Sequence, residues 1–124
     1  MRHSTYQHFD PDALLADLLG SRAAMKGVLQ RVASWRSTIE AELLTATSTG
    51  DLQQLARVLH TMRGALAQLH ADSIVEMIVP LEKACKARAA GDASAPTLTV
   101  EAITPLLSRL KALTAEVTHY VASH

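Results

Sequence analysis

Apolar residues recur along most of this chain at spacings of three and four, the period of a helix that buries one face. Capping signals divide that pattern into five elements. Asp10 followed by Pro11 reads as an N-cap with proline at the first helical position, opening a short helix through Leu14, Leu15, Leu18 and Leu19. Gly20 is predicted to end it, and Ser21 to cap the next. That second helix has Met25, Val28, Leu29, Val32, Trp35, Ile39 and Leu43 at helical spacing and stops in Thr47-Ser48-Thr49-Gly50. Asp51, with Gln54 three positions on, resembles a capping box for a third helix. Leu52, Leu55, Leu59, Met62, Leu66 and Leu69 follow without a miss, making this the best-determined element.

The pattern breaks near His70-Ala71-Asp72. Ser73 with Glu76 predicts the next cap, followed by Ile74, Met77, Ile78, Leu81 and Cys85 on one face. Pro80 inside this helix removes a backbone hydrogen bond and predicts a kink between Ile78 and Leu81. Ala90-Gly91-Asp92-Ala93-Ser94-Ala95-Pro96 reads as a surface loop. The last helix runs through Leu106, Leu107, Leu110, Leu113, Val117 and Val121, its main body predicted to start at Thr104-Pro105. Such helices joined by short loops predict an all-α fold: an antiparallel four-helix bundle with a short additional N-terminal helix across one end.

Composition narrows the class. A length of 124 residues predicts a single domain, 1–124, with a core over about 9–121 and ends that fray. The formal net charge is zero, which argues against a nucleic-acid footprint. No apolar run reaches the length of a membrane span, and the first residues lack a signal-peptide core, so no membrane insertion is expected. The lone Cys85 excludes an intramolecular disulfide and suits a reducing compartment, so a cytoplasmic location is the expectation, and a monomer is the default for a domain that must expose a working face. Cys85 is expected to be buried and inert, and Trp35 and the methionines to fill the core. His3 and His8 fall in the N-terminal end expected to fray, and His119 and His124 near the C-terminus. None makes an i, i+4 pair with another histidine and there is no HExxH or Cys/His cluster, so no metal site is predicted. No Ser/His/Asp set and no paired carboxylates support a hydrolase.

The candidate chemistry lies in Leu59-His60-Thr61-Met62-Arg63-Gly64-Ala65. At ~100° per residue, His60 lies roughly 130° from the centre of the third helix's apolar stripe and so faces outward. Gln53, Ala56, Arg57, Arg63, Gly64 and Ala67 share its surface. Glycine costs a helix interior roughly 0.5–1 kcal/mol relative to alanine, so Gly64 points to a need for space over His60. An exposed imidazole on a rigid helix is a competent nucleophile near neutral pH. Arg63, one turn along, can offset charge on a phosphoryl group in transit.

The stretch His60-Thr61-Met62-Arg63-Gly64-Ala65 resembles the signature of histidine-containing phosphotransfer (Hpt) domains of bacterial two-component phosphorelays: histidine, any residue, a hydrophobe, lysine or arginine, glycine, then a small residue. Phe9-Asp10, Gly50-Asp51 and Leu81-Glu82 resemble the family pattern too, so the likeness covers nearly the whole chain, from Phe9 to Val121. The resemblance implies a four-helix bundle whose histidine accepts a phosphoryl group from a receiver-domain aspartate and passes it to another. By that likeness His60 is the phosphorylated residue, through Nε2 with Nδ1 held or solvated on the other side. Arg63 matches the cationic position and Gly64 the glycine. The implied partners are receiver domains of response regulators, or a hybrid sensor histidine kinase, docking over the second and third helices. Gln53, Ala56, Arg57 and Ala67 would surround His60 in that contact, with Arg57 the more peripheral. No cofactor of its own is implied, Mg²⁺ being expected on the receiver; the chain would be a phosphoryl carrier without autokinase activity. Two positions depart from the pattern. His70 stands where the family often closes the histidine helix with a second glycine, and Pro80 interrupts the following helix. Two alternatives stay open at this point: a degenerate Hpt-like bundle that only binds a receiver or kinase, and an unrelated helical adaptor.

Overall fold

The computed structural model describes residues 6–124. They form five helices: α1 (Pro11–Asp17), α2 (Arg22–Thr49), α3 (Leu52–Gln68), α4 (Asp72–Ala89) and α5 (Val100–Ser123). The last four make the antiparallel bundle. The most extensive contacts are between α3 and α4 and between α2 and α5, and α2 against α3 joins the two pairs. Leu29, Leu43, Leu55, Leu59, Met62, Leu66, Ile74, Ile78, Ile103 and Leu106 are sealed in its centre. Among the described residues no helix is long and apolar enough to cross a membrane.

Three of the expected caps form. Asp10, Ser21 and Asp51 each accept a hydrogen bond from the backbone N–H three residues on, at 3.1, 3.2 and 3.1 Å. Two other boundaries differ from the sequence-based expectation. Helix α4 begins at Asp72, with Ala71 as its N-cap and no side-chain cap, so Ser73 and Glu76 are ordinary exposed first-turn residues. The preceding turn explains this. His70 takes a left-handed φ of 57°, the Ala71 N–H donates to Leu66 O and the His70 N–H to Ala67 O. That pair of bonds is a Schellman closure, with buried Ala71 packed beneath it. His70 thus takes the left-handed slot that favours glycine.

Helix α5 starts at Val100, before the expected Thr104-Pro105. Thr99 caps it by accepting from the Ala102 N–H at 3.2 Å, and buried Ile103 anchors the first turn, so Pro105 lies inside the helix. At the end of α1 the left-handed turn begins at Leu19 (φ 56°), one residue before Gly20 (φ 78°), and leaves the Leu19 side chain 95% exposed. Helix α4 runs on through Pro80.

One further expectation is corrected. Trp35 is half-buried at the edge of the core; with Val28, Val32, Ala65 and Gln68 it lines a groove between α2 and α3. The N-terminal segment is tied down from Tyr6 onward. The Gln7 and His8 N–H groups donate to the Glu116 carboxylate at 3.0 and 2.9 Å, and His8 Nδ1 lies 2.9 Å from it. Phe9 is buried, and the Asp10 N–H donates to Leu69 O. His3 lies outside the described residues. Cys85 is buried, its Sγ donating to Leu52 O at 3.0 Å.

Candidate functional site

Helix α3 buries Leu55, Val58, Leu59, Met62 and Leu66, and this fixes what its other face presents. His60 is on that face with its side chain 67% exposed. Gln53, Arg57, Gly64 and Ala67 are exposed around it, Ala56 is half-buried at its foot, and Arg57 is turned aside to Gln54 Oε1 at 2.9 Å. A Cβ added at Gly64 would meet no atom within 4 Å. Nothing in the chain's own packing requires glycine there.

Glu82, which the sequence reading did not single out as a site residue, organises the side of His60 toward α4. It sits in the buried stripe of α4 with Ile74, Ile78 and Cys85, and its side chain is only 6% exposed. A carboxylate taken out of water must be paired or give up its charge. Arg63 supplies its Nε at 2.8 Å and Nη2 at 3.4 Å, and Lys86, one turn along α4, its Nζ at 2.8 Å. The Arg63 hydrogen bond is the main reason the Glu82 pKa is lowered to about 2; burial opposes it, and Lys86 and then His60 add to it. The same pairing raises the Arg63 pKa. Glu82 is therefore an anion at any physiological pH. The signal was in the sequence: a glutamate four residues after Ile78 and three before Cys85 occupies a core position, which a carboxylate holds only with partners.

His60 Nδ1 meets both members of this pair. Arg63 Nη2 lies 3.0 Å from it and Glu82 Oε2 lies 3.4 Å from it. A guanidinium only donates and an ionised carboxylate only accepts, so the two contacts ask opposite things of Nδ1. With the ring proton on Nε2, Nδ1 accepts from Arg63. With the proton on Nδ1, it donates to Glu82 and leaves the Nε2 lone pair with no partner among the described residues. The second form can attack an electrophile arriving from solvent. Alongside runs an open cleft of about 300 Å³ lined by Arg63, Val79, Glu82, Lys83 and Lys86, more cationic than anionic. No three His, Cys, Asp or Glu side chains among the described residues are grouped to hold a metal ion.

His8, His119 and His124 lie away from this face. His8 is on Glu116, His119 Nδ1 is 3.0 Å from the Tyr6 hydroxyl, and His124 stacks on Tyr120 with ring centroids 4.1 Å apart. Compared with known protein families, the chain matches the one described as the Hpt domain over residues 22–119. No curated protein and no solved structure matches it. The family match covers α2 to α4 and nearly all of α5, and so includes His60, Arg63, Gly64, Glu82 and Lys86.

Proposed function

The chain belongs to the Hpt family, whose members serve phosphotransfer in two-component systems, and on that footing we propose that it is a phosphorelay intermediate. It accepts a phosphoryl group from a receiver-domain aspartate onto His60 Nε2 and passes it to another receiver aspartate. The observation that carries this is an exposed imidazole whose inner nitrogen lies against a buried, ionised carboxylate. In the acceptor step the Nε2 lone pair forms a bond to phosphorus as the acyl phosphate P–O bond breaks. The aspartate leaves with that electron pair, and the ring becomes an imidazolium with its proton on Nδ1. Glu82 faces that proton and stabilises the cation. In the return step the aspartate attacks, the P–N bond breaks, and the ring recovers the electron pair with Nδ1 still protonated. No general base is needed in either direction.

Arg63, on the same side of the ring, offsets charge on the phosphoryl oxygens in transit. Mg²⁺ bound by the receiver would supply further positive charge from that partner's side. Gly64 and Ala67 leave room for the receiver to dock over α2 and α3, and the half-buried apolar groove at Trp35 suits a small, transient contact with a polar rim. The test is transfer from a phosphorylated receiver to this protein beside its His60→Gln variant. Acid-labile, alkali-stable label on the wild type alone is the expected result. Label on both proteins would rule out His60 as the acceptor. No label from any of a panel of receivers would leave a bundle that only binds them.

A further inference from the structure

We propose that Arg63 sets the tautomer of His60 in the resting protein, holding the ring proton on Nε2, so that the nucleophile is released only when the guanidinium leaves Nδ1. The inference deepens the phosphotransfer reading and takes its functional meaning from it, but the geometry behind it involves this chain alone. Of the two groups competing for Nδ1, Arg63 Nη2 is the closer, at 3.0 Å against 3.4 Å for Glu82 Oε2. The first distance lies within the ordinary hydrogen-bond range of about 2.7–3.2 Å and the second beyond it. Both oxygens of Glu82 are also already engaged by cations at shorter distance. Its Oε1 takes Arg63 Nε at 2.8 Å, and its Oε2 takes Lys86 Nζ at 2.8 Å. A charge-assisted donor at good distance thus faces a longer contact to an oxygen that already takes a cation, and Arg63 wins the nitrogen.

The consequence is a nucleophile kept capped. While Nδ1 accepts from Arg63, Nε2 carries the proton and has no lone pair to offer. To become reactive the ring loses that proton to water and gains one from water at Nδ1, with no change in charge, once Nη2 has withdrawn. An anionic phosphoryl oxygen is a better acceptor for a guanidinium than a neutral ring nitrogen. Its arrival therefore draws Nη2 off Nδ1, leaving Glu82 as the neighbour that nitrogen meets. The proton then settles on Nδ1, and the Nε2 lone pair opens toward phosphorus. Arg63 is a positioning residue for the resting ring, and meets the phosphoryl oxygens only once they arrive.

The experiment is long-range ¹H–¹⁵N correlation of the imidazole in the ¹⁵N-labelled full chain at about pH 8.5, above the range in which histidine side chains ordinarily carry charge. In the wild type His60 is expected mainly in the Nε2–H form. Arg63→Ala should move the ratio toward Nδ1–H by about tenfold, the weight of one charge-assisted hydrogen bond. Glu82→Gln should leave the wild-type form in place. A wild type already in the Nδ1–H form, or a ratio that Arg63→Ala does not move, would overturn the proposal. The wild-type spectrum alone suffices for the first outcome if a variant does not fold. Since no partner takes part, a failure here leaves the relay reading standing, and a failed transfer assay leaves this result standing.

Discussion

Two histidine–carboxylate pairs sit on or beside α3, and they differ in an instructive way. His70, in the turn that ends the helix, meets Asp17 of α1 at 2.6 Å. His60, mid-helix, meets Glu82 at 3.4 Å. By distance alone the first pair is the stronger. Yet Asp17 is 58% exposed, whereas Glu82 is 6% exposed and receives two cations besides. The outer pair ties α1 to the end of α3 and is weakened by solvent, as surface pairs are. The inner carboxylate stays charged in a place where charge is costly, and so imposes a field on the ring beside it. What separates a site from a surface staple here is the burial of the acid and the company it keeps, with contact length a poor guide.

The sharpest way to break this comparison is to exchange the histidines' fates. His60→Gln should abolish labelling by a phosphorylated receiver without unfolding the protein, since the side chain faces solvent, while His70→Gln should label normally. Equal loss in both would erase the distinction. Gly64→Leu comes next. With open space above it the variant should fold, gaining somewhat from leucine's better helix propensity, and transfer should slow by about tenfold or more through steric exclusion alone. An unchanged rate would remove the access argument. Arg63→Ala uncaps Nδ1 but also removes the cation that meets the phosphoryl oxygens; with the second loss the larger, transfer should slow several-fold or the phosphohistidine lifetime shorten, and an absence of both effects would confine Arg63 to its pairing with Glu82.

The two acids also predict different pH profiles of stability. The Glu82 pKa is depressed to about 2 in the folded protein, so its contribution is full above its unfolded value, 4.5, and is lost as pH falls toward about 2. Chemical denaturation across that interval should show a fall on the order of 2–3 kcal/mol that Glu82→Gln flattens. His70 works in the opposite sense. Asp17 raises its pKa, so its contribution is full below the unfolded value, 6.5, and is lost as pH rises through the folded one. Being exposed, it should be worth less than about 1 kcal/mol, visible as a small stability difference from His70→Ala that narrows in alkali.

Much of this was legible in the chain. Unbroken apolar spacing and the side-chain caps Asp10, Ser21 and Asp51 determine α1 to α3, because each is a local choice that packing does not overrule. The outward direction of His60 followed from the same period, and the placement of Arg63 and Gly64 came with it. The start of α4 was missed because a left-handed His70 and a buried Ala71 close the turn through the backbone, leaving nothing for Ser73 to cap. The start of α5 was missed because Pro105 is a conspicuous first-turn signal, while Thr99 is a quiet one that wins by its hydrogen bond and by the burial of Ile103. Trp35 fits the helical period yet lies at the margin of a groove, a distinction that depends on how closely α2 and α3 approach. Glu82 belongs to a third kind: its position in the stripe was visible, but its partners lie on another helix and on the next turn of its own, and only the assembled bundle brings Arg63, Lys86 and His60 to it.

The most direct test of the relay itself is a chase. The protein is labelled by one receiver, freed of it, and offered a second, unlabelled receiver while the label is followed. The expected result is loss of label from His60 matched by its appearance on the second receiver's aspartate, faster than phosphohistidine decays alone. Label that stays on His60, or that leaves only as free phosphate at the unassisted rate, would contradict a role as a two-way phosphoryl carrier.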